Sequence, residues 1–271
     1  MRLVSYSESV SSGFRDVLSS RLELGEEWSW LSRAGLRRGR VISLGGDAAL
    51  PLAFALGAAI ARSGAREEGW VAFAGSRVLC AAAAFEMGVR PERFVVVRLP
   101  HPHGDSRARP ARGGDSREGR GRGGALGERS TVGERSAGDR TVLSVCAALL
   151  DVFDVVVWAG GLPRRGRALG ALEARLRRSG ASLLYVGGRL EGEEGRLEAR
   201  TLRWVGLGRG AGHLMARLVE VRPSGRLVAL GAREVVLWLP DERGRVCPAT
   251  AEGLAGEAEG AVRMHVVRGG G

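Results

Sequence analysis

The chain has 271 residues, 44% of them hydrophobic, and carries 41 basic and 30 acidic side chains for a net charge of +11. This length and apolar content can support one large domain, or a domain with appendages. The sequence contains no lysine, so all 41 basic residues are arginine, which excludes a nucleotide site that depends on a lysine. The charge favours contact with nucleic acid or an acidic protein. The alternative is a GC-rich coding bias that places arginine wherever a basic residue is tolerated.

The cysteines and the apolar runs define the expected compartment. Cys80, Cys146 and Cys247 lie far apart without a CxxC pair, as is typical of reduced thiols rather than of a disulfide frame or a zinc site. The longest apolar run, residues 48–61, is too short to span a bilayer, and the N-terminus lacks an apolar signal core. We therefore expect a cytoplasmic protein without a membrane segment, a metal or a cofactor.

Residues 1–35 form the first predicted segment. Apolar residues recur at spacings of three and four between residues 14 and 22, which predicts an amphipathic helix lying on the main body. Trp28 and Trp30 follow, and they either pack against that body or face a partner.

A strand, a tight turn and a helix are predicted around the pair Gly45-Gly46. Residues 41–44 are continuously apolar, and residues 48–62 are apolar nearly all round, as in a helix buried against a sheet. This succession is the local architecture of a phosphate-binding loop.

The chemistry of such a loop is missing from Gly46, Asp47, Pro51, Leu52 and Ala53, which we call the degenerate nucleotide loop. A working loop needs a second glycine, a lysine and a serine or threonine where this chain has Pro51, Leu52 and Ala53. Pro51 also removes a backbone N–H that would face a phosphate. The sequence therefore predicts the scaffold of a nucleotide site without its function.

Strand and helix continue to alternate up to residue 99. The pattern predicts strands at 70–74 and 94–97, with a helix at 78–87 between them that ends at Gly88. This alternation is typical of right-handed βαβ units around a parallel sheet.

Residues 101–139 contain almost no large apolar side chain, and we predict that they are disordered. An arginine–glycine tract can bind single strands weakly, but the interleaved acidic residues favour a solvated linker. His101 and His103 lie in this segment, and we do not assign them to a metal site.

Regular patterns resume at residue 142. Two helices and two strands are predicted first, with helices at 142–150 and 169–178 and strands at 154–158 and 182–186. Apolar and polar residues then alternate along the chain, which predicts antiparallel strands near 202–205, 214–221, 226–230 and 235–239. A turn is predicted at 222–225 between two of them.

Residues 36–238 resemble the core of the RecA ATPase superfamily. The resemblance rests on the order of the elements and on short stretches within them: Gly39-Arg40, Glu86-Met87-Gly88-Val89, Arg98-Leu99-Pro100, Phe153-Asp154 and Gly160-Gly161-Leu162-Pro163. Within the superfamily, the chain is most similar to the ImuA group of accessory proteins in bacterial mutagenic repair.

The resemblance implies an α/β, RecA-like P-loop NTPase fold in degenerate form. We expect a mainly parallel sheet flanked by helices, extended by antiparallel strands from the C-terminal third. The chain then divides into an N-terminal helical segment (1–35), a RecA-like core (36–239) interrupted by the disordered insertion (101–139), and a C-terminal tail (240–271).

Most of the catalytic residues of an active RecA are replaced at the matching positions of this chain. The lysine and threonine of the active loop fall on Leu52 and Ala53, and the acid that activates water falls near Ser76 and Arg77. The metal-associated aspartate at the end of a strand falls on Ala159. Three independent parts of a phosphoryl-transfer apparatus are thus absent together, and we expect no ATPase activity.

The same resemblance implies a function. Proteins of the ImuA group work with ImuB, an inactive relative of Y-family polymerases, and with an error-prone polymerase. We expect a non-catalytic adaptor in SOS-induced translesion DNA synthesis that recruits or regulates such a complex at damaged DNA. The alternatives are a weak, ATP-independent DNA-binding RecA relative and a divergent NTPase. Asp47 and Asp154 remain, but lone aspartates at such positions are more often cap or turn acceptors than metal ligands.

Two stretches are candidates for partner binding. One is the N-terminal segment with Trp28 and Trp30. The other is the apolar run at 235–239, including Trp238 and Leu239, which ends the sheet where an exposed edge can accept a partner strand. The alternative for this run is an ordinary buried strand. The tail from Pro240 onward has few apolar residues, which favours a docking role for it. Weak DNA contact and self-association are left open.

Overall fold

The computed structural model describes residues 21–22, 24–31, 36–63, 69–76, 81–99, 131–163, 166–208 and 211–250. Within these ranges the strands are β1 (Arg21–Leu22), β2 (Leu36–Arg37), β3 (Val41–Gly45), β4 (Val71–Ala74), β5 (Phe94–Val97), β6 (Val155–Trp158), β7 (Ser182–Val186), β8 (Gly195–Gly208), β9 (Ala211–Gly225), β10 (Val235–Trp238) and β11 (Cys247–Pro248). The α-helices are α1 (Ala49–Arg62), α2 (Ala81–Glu86), α3 (Thr131–Val152), α4 (Arg167–Ser179) and α5 (Arg226–Ala229), and short 3-10 helices lie at Glu26–Trp28 and Pro91–Arg93.

Nine strands form one sheet in the order β11-β10-β9-β8-β3-β7-β6-β4-β5. The ladders from β8 through β3, β7, β6 and β4 to β5 are parallel, whereas β8, β9, β10 and β11 pair antiparallel. The predicted α/β class, with a largely parallel sheet and antiparallel C-terminal strands, is confirmed, and it is compatible with a RecA-like fold. The strand that precedes the degenerate nucleotide loop, β3, lies inside the sheet between β7 and β8.

Helices cover both faces of the sheet because its parallel strands are apolar on both sides. Ile42 and Leu44 pack with α1 in one buried cluster, while Val41 packs in a second cluster with apolar residues of α3 and α4. Helix α1 is buried over most of its surface, as its nearly uniform apolar sequence predicts. No helix within the described ranges is long and apolar enough to cross a membrane.

The N-terminal segment differs from its prediction where the structure describes it. The predicted amphipathic helix at 14–22 falls mostly outside the described residues, but its last residue, Leu22, belongs to β1 and pairs with Leu36 of β2. Leu22 is nevertheless buried in the same cluster as α1. Apolar spacing identified the buried residue but not its conformation, because the pairing partner is distant in sequence.

The predicted disordered insertion is too long at its C-terminal end. Helix α3 begins at Thr131, so residues 131–139 are helical, and the rest of the insertion lies outside the described residues. The helical segment at 142–150 is anchored by buried Leu143, Cys146 and Leu150. Extending an existing helix avoids the cost of nucleation, so the polar residues before it need no apolar anchors of their own.

Two predictions in the C-terminal third are wrong. Residues 226–229 form the short helix α5 rather than a strand, and Leu227 is the buried residue of this helix. The predicted turn at 222–225 belongs to β9, and Pro223 pairs with Leu197 of β8. Strand β10 covers β9 only along residues 218–221, so Pro223 lies where β9 has a neighbour on one side, a place where proline is tolerated.

Candidate functional site

Strand β3 leads into the degenerate nucleotide loop through Gly46, whose φ is +88°. A Cβ at this position would collide with the carbonyl oxygen of Ala199 on β8. Glycine is required because the backbone is left-handed and β8 passes directly against it. The turn was predictable from the glycine pair, whereas the contact with Ala199 was not.

Protein groups occupy or remove the donors that a phosphate would need. The N–H of Ala48, at the start of the helix, donates to the carbonyl of Ala199 at 3.2 Å. Pro51 in the first turn of α1 has no N–H to offer. A helix N-terminus binds anions through free N–H groups, so this end of α1 is poorly equipped to hold a phosphate.

The positions that carry lysine and threonine in an active loop point into the core. Leu52 and Ala53 are both 0% exposed and pack in the cluster that surrounds α1. A charged or hydroxyl side chain there would be buried without a partner, at a large cost in free energy. Their apolar character is therefore part of the packing of this helix.

Asp47 is held by groups from β8 and β9. Its Oδ1 accepts the N–H of Thr201 at 2.9 Å, and its Oδ2 lies 3.4 Å from Nη2 of Arg217. The Nη2 of Arg217 also donates to the Asp47 carbonyl at 3.1 Å, and its Nε donates to Oγ1 of Thr201 at 2.9 Å. The guanidinium stacks 4.7 Å from the ring centroid of Trp204. We call Asp47, Thr201, Trp204 and Arg217 the loop clamp.

Both charges of the loop clamp persist at neutral pH. Burial raises the pKa of Asp47, but hydrogen bonds from Thr201 and the positive charge of Arg217 outweigh it, and the pKa falls below its usual value. Burial lowers the pKa of Arg217, and the charge of Asp47 opposes this. An arginine remains protonated in proteins. Asp47 thus serves as a turn acceptor and ion-pair partner.

A second guanidinium lies against the start of the loop. The missing side chain of Gly45 leaves room for Arg196, whose Nη2 would collide with a Cβ at that position. Arg196 donates from Nε to Oε2 of Glu198 at 2.9 Å and from Nη1 to the carbonyl of Gly187 at 2.8 Å. The arginines on both sides of the loop are therefore engaged with acceptors of the protein itself.

The ends of β4 and β6 are closed by backbone contacts. The N–H of Ala159 donates to the carbonyl of Ala74 at 2.8 Å, and a Cβ on Gly160 would lie 2.5 Å from the carbonyl oxygen of Gly75. Ala159, the degenerate metal position, brings no carboxylate to this edge. Ser76 follows Gly75, while Arg77 lies outside the described residues.

Asp154 serves the fold at the opposite end of β6. Its Oδ2 accepts the N–H of Trp70 at 2.8 Å, which joins the starts of β4 and β6. Among the residues that the structure describes, no three histidine, cysteine, aspartate or glutamate side chains are grouped to hold a metal ion.

Trp28 and Trp30, the first candidates for partner binding, lie in the core. They are 3% and 6% exposed, and their ring centroids are 6.0 Å apart. The carbonyl of Trp30 accepts the N–H of Arg233 at 2.8 Å, which ties the N-terminal segment to the loop before β10. Of the two roles left open by the sequence, the structure favours packing.

The sequence suggested an exposed outer edge for β10, but β11 covers this edge. Strand β11, which comes from the tail, pairs Cys247 with Trp238, and the N–H of Ala249 donates to the carbonyl of Val236 at 2.8 Å. Trp238 is half-buried and Leu239 is 0% exposed. The tail thus docks on its own sheet, and the free edge at this side belongs to the two-residue strand β11.

The turn before β11 is built around Asp241. Its Oδ1 accepts the N–H groups of Arg243 and Arg245 at 2.9 Å and 2.7 Å, and its Oδ2 accepts from Nε of Arg245 at 3.1 Å. Burial raises the pKa of Asp241, but these hydrogen bonds outweigh it and lower the pKa below its usual value. A local network therefore fixes this part of the tail.

The N-terminal segment and the C-terminal tail meet at one cleft, which residues 235–239 do not line. Its volume is about 240 Å³, and its walls come from the N-terminal segment, α1, the end of α2 and the tail. Glu27 and Trp28 line one side and Arg245 and Val246 line another. Sequence spacing could not bring these stretches together, because they lie at opposite ends of the chain.

The comparisons with known proteins give one match. The model of a family described as the MT3502 N-terminal domain matches residues 29–108 and 128–192, more than half of the chain. The match includes the degenerate nucleotide loop and ends before β8. No curated protein matches the chain.

Proposed function

Because the chain belongs to the MT3502 N-terminal domain family and closes its own nucleotide loop, we propose that it acts without nucleotide chemistry. It is a RecA-like adaptor of the ImuA type that serves SOS-induced translesion DNA synthesis. It recruits or regulates an ImuB-like relative of Y-family polymerases and the associated error-prone polymerase at damaged DNA.

The loop clamp is the observation that carries this proposal. Arg217 and Thr201 satisfy Asp47, and Ala199 occupies the N–H of Ala48. Phosphoryl transfer depends on positioned donors, cations and a metal around the transferred phosphate. Here the N–H of Ala48 and the carboxylate of Asp47 are bound to groups of the protein itself, which favours an adaptor over a divergent NTPase.

An adaptor acts through surfaces, and the cleft between the N-terminal segment and the tail is our candidate. Apolar side chains such as Trp28 and Val246 line it together with charged side chains such as Glu27 and Arg245. Protein–protein interfaces combine apolar and polar groups in this way. The short edge at β11 lies in the same part of the tail and can extend the contact.

The test is partner capture with a surface variant that leaves the core intact. Glu242→Arg with Arg243→Glu reverses two exposed charges in the tail turn without changing the net charge. Glu191→Arg with Arg226→Glu makes the same exchange at exposed positions away from the tail. We expect the first variant to lose the ImuB-like protein in pull-downs from DNA-damaged cells of the native source, and the second to retain it.

Two outcomes count against the adaptor proposal. One is a wild-type pull-down that contains neither a polymerase nor a relative of one. The other is normal damage-induced mutagenesis in cells that lack the chain. Retention by the first variant with loss by the second would instead place the contact outside the tail.

A further inference from the structure

Arginines from three separate parts of the chain meet at the amino ends of β3 and β7. Arg21 lies on β1, Arg37 and Arg38 precede β3, and Arg177 and Arg178 form the last turn of α4 before β7. We call these five residues the amino-edge cluster. It lies at the edge of the sheet opposite the degenerate nucleotide loop.

Two backbone contacts bring these arginines together. Arg21 pairs directly with Arg37 across the antiparallel strands β1 and β2. Gly39, with φ of +69°, lies so close to α4 that an added Cβ would be 2.8 Å from the Leu176 carbonyl oxygen and 3.0 Å from Cα of Arg177. The glycine therefore holds Arg37 and Arg38 beside the end of α4.

Three carboxylates near the cluster, among the residues that the structure describes, have arginine partners. Glu173 pairs with Arg177 at 3.5 Å within α4, and Glu194 pairs with Arg40 at 3.6 Å. Asp151 accepts from Nε of Arg175 at 2.6 Å, and the charge of Arg178 also acts on it.

Arg37 and Arg38, the two arginines before β3, form no ion pair with any residue that the structure describes. The side chain of Arg37 is exposed. Within the described residues, these two guanidinium groups therefore remain available to an anion.

Positive side chains face one another in this cluster, since Arg21 lies directly opposite Arg37 across the β1–β2 ladder. Like charges at such positions repel one another. Arg177 and Arg178 in the last turn of α4 favour the negative end of its dipole, and Arg37 and Arg38 lie beside the same helix end. A bound polyanion would compensate the repulsion.

The chemistry of the surface indicates which polyanion. Protein interfaces usually have a core of aromatic and aliphatic side chains. The large apolar side chains that are exposed in the described residues all lie outside residues 36–40 and 177–178. Guanidinium groups match phosphate oxygens through paired hydrogen bonds, so the cluster fits a phosphate backbone better than an acidic protein.

We propose that the amino-edge cluster binds the phosphate backbone of nucleic acid. Ligands of open α/β sheets usually bind outside the carboxyl ends of the strands, and that edge is closed here by the loop clamp. The contact uses the other edge and is independent of nucleotide. It is also separate from the adaptor contacts proposed above, which involve different residues.

The test is fluorescence anisotropy with labelled single-stranded and double-stranded oligonucleotides over a range of salt concentrations. The variant Arg37→Gln/Arg38→Gln/Arg178→Gln removes three charges from the cluster. The control Arg189→Gln/Arg222→Gln/Arg226→Gln removes the same charge from exposed positions elsewhere, two of which are ion-paired. Thermal unfolding of each variant verifies that it is folded.

We expect the cluster variant to bind about 10-fold or more weakly at low salt. The slope of the logarithm of the binding constant against the logarithm of salt concentration should fall as expected for the loss of about two to three phosphate contacts. The control should stay close to the wild type. Equal weakening in both variants would show an effect of net charge alone and overturn the proposal, as would unchanged binding by the cluster variant. Tighter binding of polyglutamate than of the oligonucleotide would identify an acidic-protein surface instead. None of these outcomes depends on the ImuB-like partner, so this proposal can fail while the adaptor proposal stands.

Discussion

Arg217 on β9 and Asp47 in the degenerate nucleotide loop form an ion pair with 3.4 Å between Nη2 and Oδ2. Arg217 is only 7% exposed, so its charge is compensated by Asp47, by Oγ1 of Thr201 and by the ring of Trp204. The pair connects the start of α1 to the antiparallel half of the sheet. It places the protein's own groups around the loop where a nucleotide enzyme would hold its ligand.

Replacing Arg217 with methionine should destabilise the fold. The change removes the guanidinium from Oδ2 of Asp47 and Oγ1 of Thr201. Asp47 is solvent-exposed and keeps the N–H of Thr201, so we expect a loss of about 1–2 kcal/mol in the free energy of unfolding. Arg222→Met removes an exposed arginine and should change this free energy by less than about 0.5 kcal/mol. Urea unfolding monitored by tryptophan fluorescence measures both. Equal stability of the two variants would show that the loop clamp contributes nothing.

The stability of the protein should fall at acidic pH partly through Asp47 and Asp241. The fold lowers the pKa of both carboxyl groups from the ordinary value of 3.8. A lowered pKa contributes stability that is complete above the unfolded value and is lost as the pH falls through the folded value.

Asp47→Asn with Asp241→Asn should therefore be less stable than the wild type at neutral pH, with the difference shrinking below about pH 4. Thermal unfolding between pH 2.5 and 7 gives this profile. A constant difference across the range would contradict the assignment.

We expect no measurable binding of ATP or its magnesium complex, because Leu52 and Ala53 are buried, the N–H of Ala48 is bound to Ala199 and Pro51 has no N–H. Titration calorimetry checks this directly, and micromolar binding would revive the NTPase alternative. Restoring the missing residues with Leu52→Lys and Ala53→Thr should not create a site. It should instead destabilise the core by several kcal/mol, about 3 or more, since a lysine would be buried without a partner.

Truncation after Pro240 should leave a folded protein with a new open edge. The truncated chain lacks β11, and the carbonyl of Val236 loses the N–H of Ala249. An unpaired strand edge favours association with another chain, so we expect a concentration-dependent dimer or larger species in analytical ultracentrifugation.

The same truncation with Val236→Lys is the control, since an inward or edge lysine discourages strand pairing. We expect it to be monomeric. Under the adaptor proposal both truncated forms should also fail to support induced mutagenesis. If the truncated chain is monomeric, pairing with β11 is not needed to prevent association through the edge of β10.

The sequence predicted the elements of the parallel sheet because their signals are local. Residues 94–97 and 182–186 are short apolar runs between turn residues, and both form the predicted strands. The loss of the loop chemistry was likewise visible from Pro51 and Leu52 alone.

Contacts between distant parts of the chain were not predictable in this way. Arg217 gives no sign in its own neighbourhood that it reaches Asp47, and Cys247 none that it pairs with Trp238. The helix at 226–229 was taken for a strand because four residues are too few to distinguish the two periodicities. The burial of Trp28 and Trp30 depends on packing that only the fold supplies.

The loop clamp also bears on timing. Nucleotide-driven proteins keep two arrangements of a loop and exchange them as phosphate is bound and released, which gives each cycle a duration. A loop held by side chains of the same chain has no nucleotide cycle to limit how long one arrangement lasts. Under the proposed function, occupancy of the partner is then a matter of mass action. The cell would regulate the complex by how much of this protein it makes and destroys.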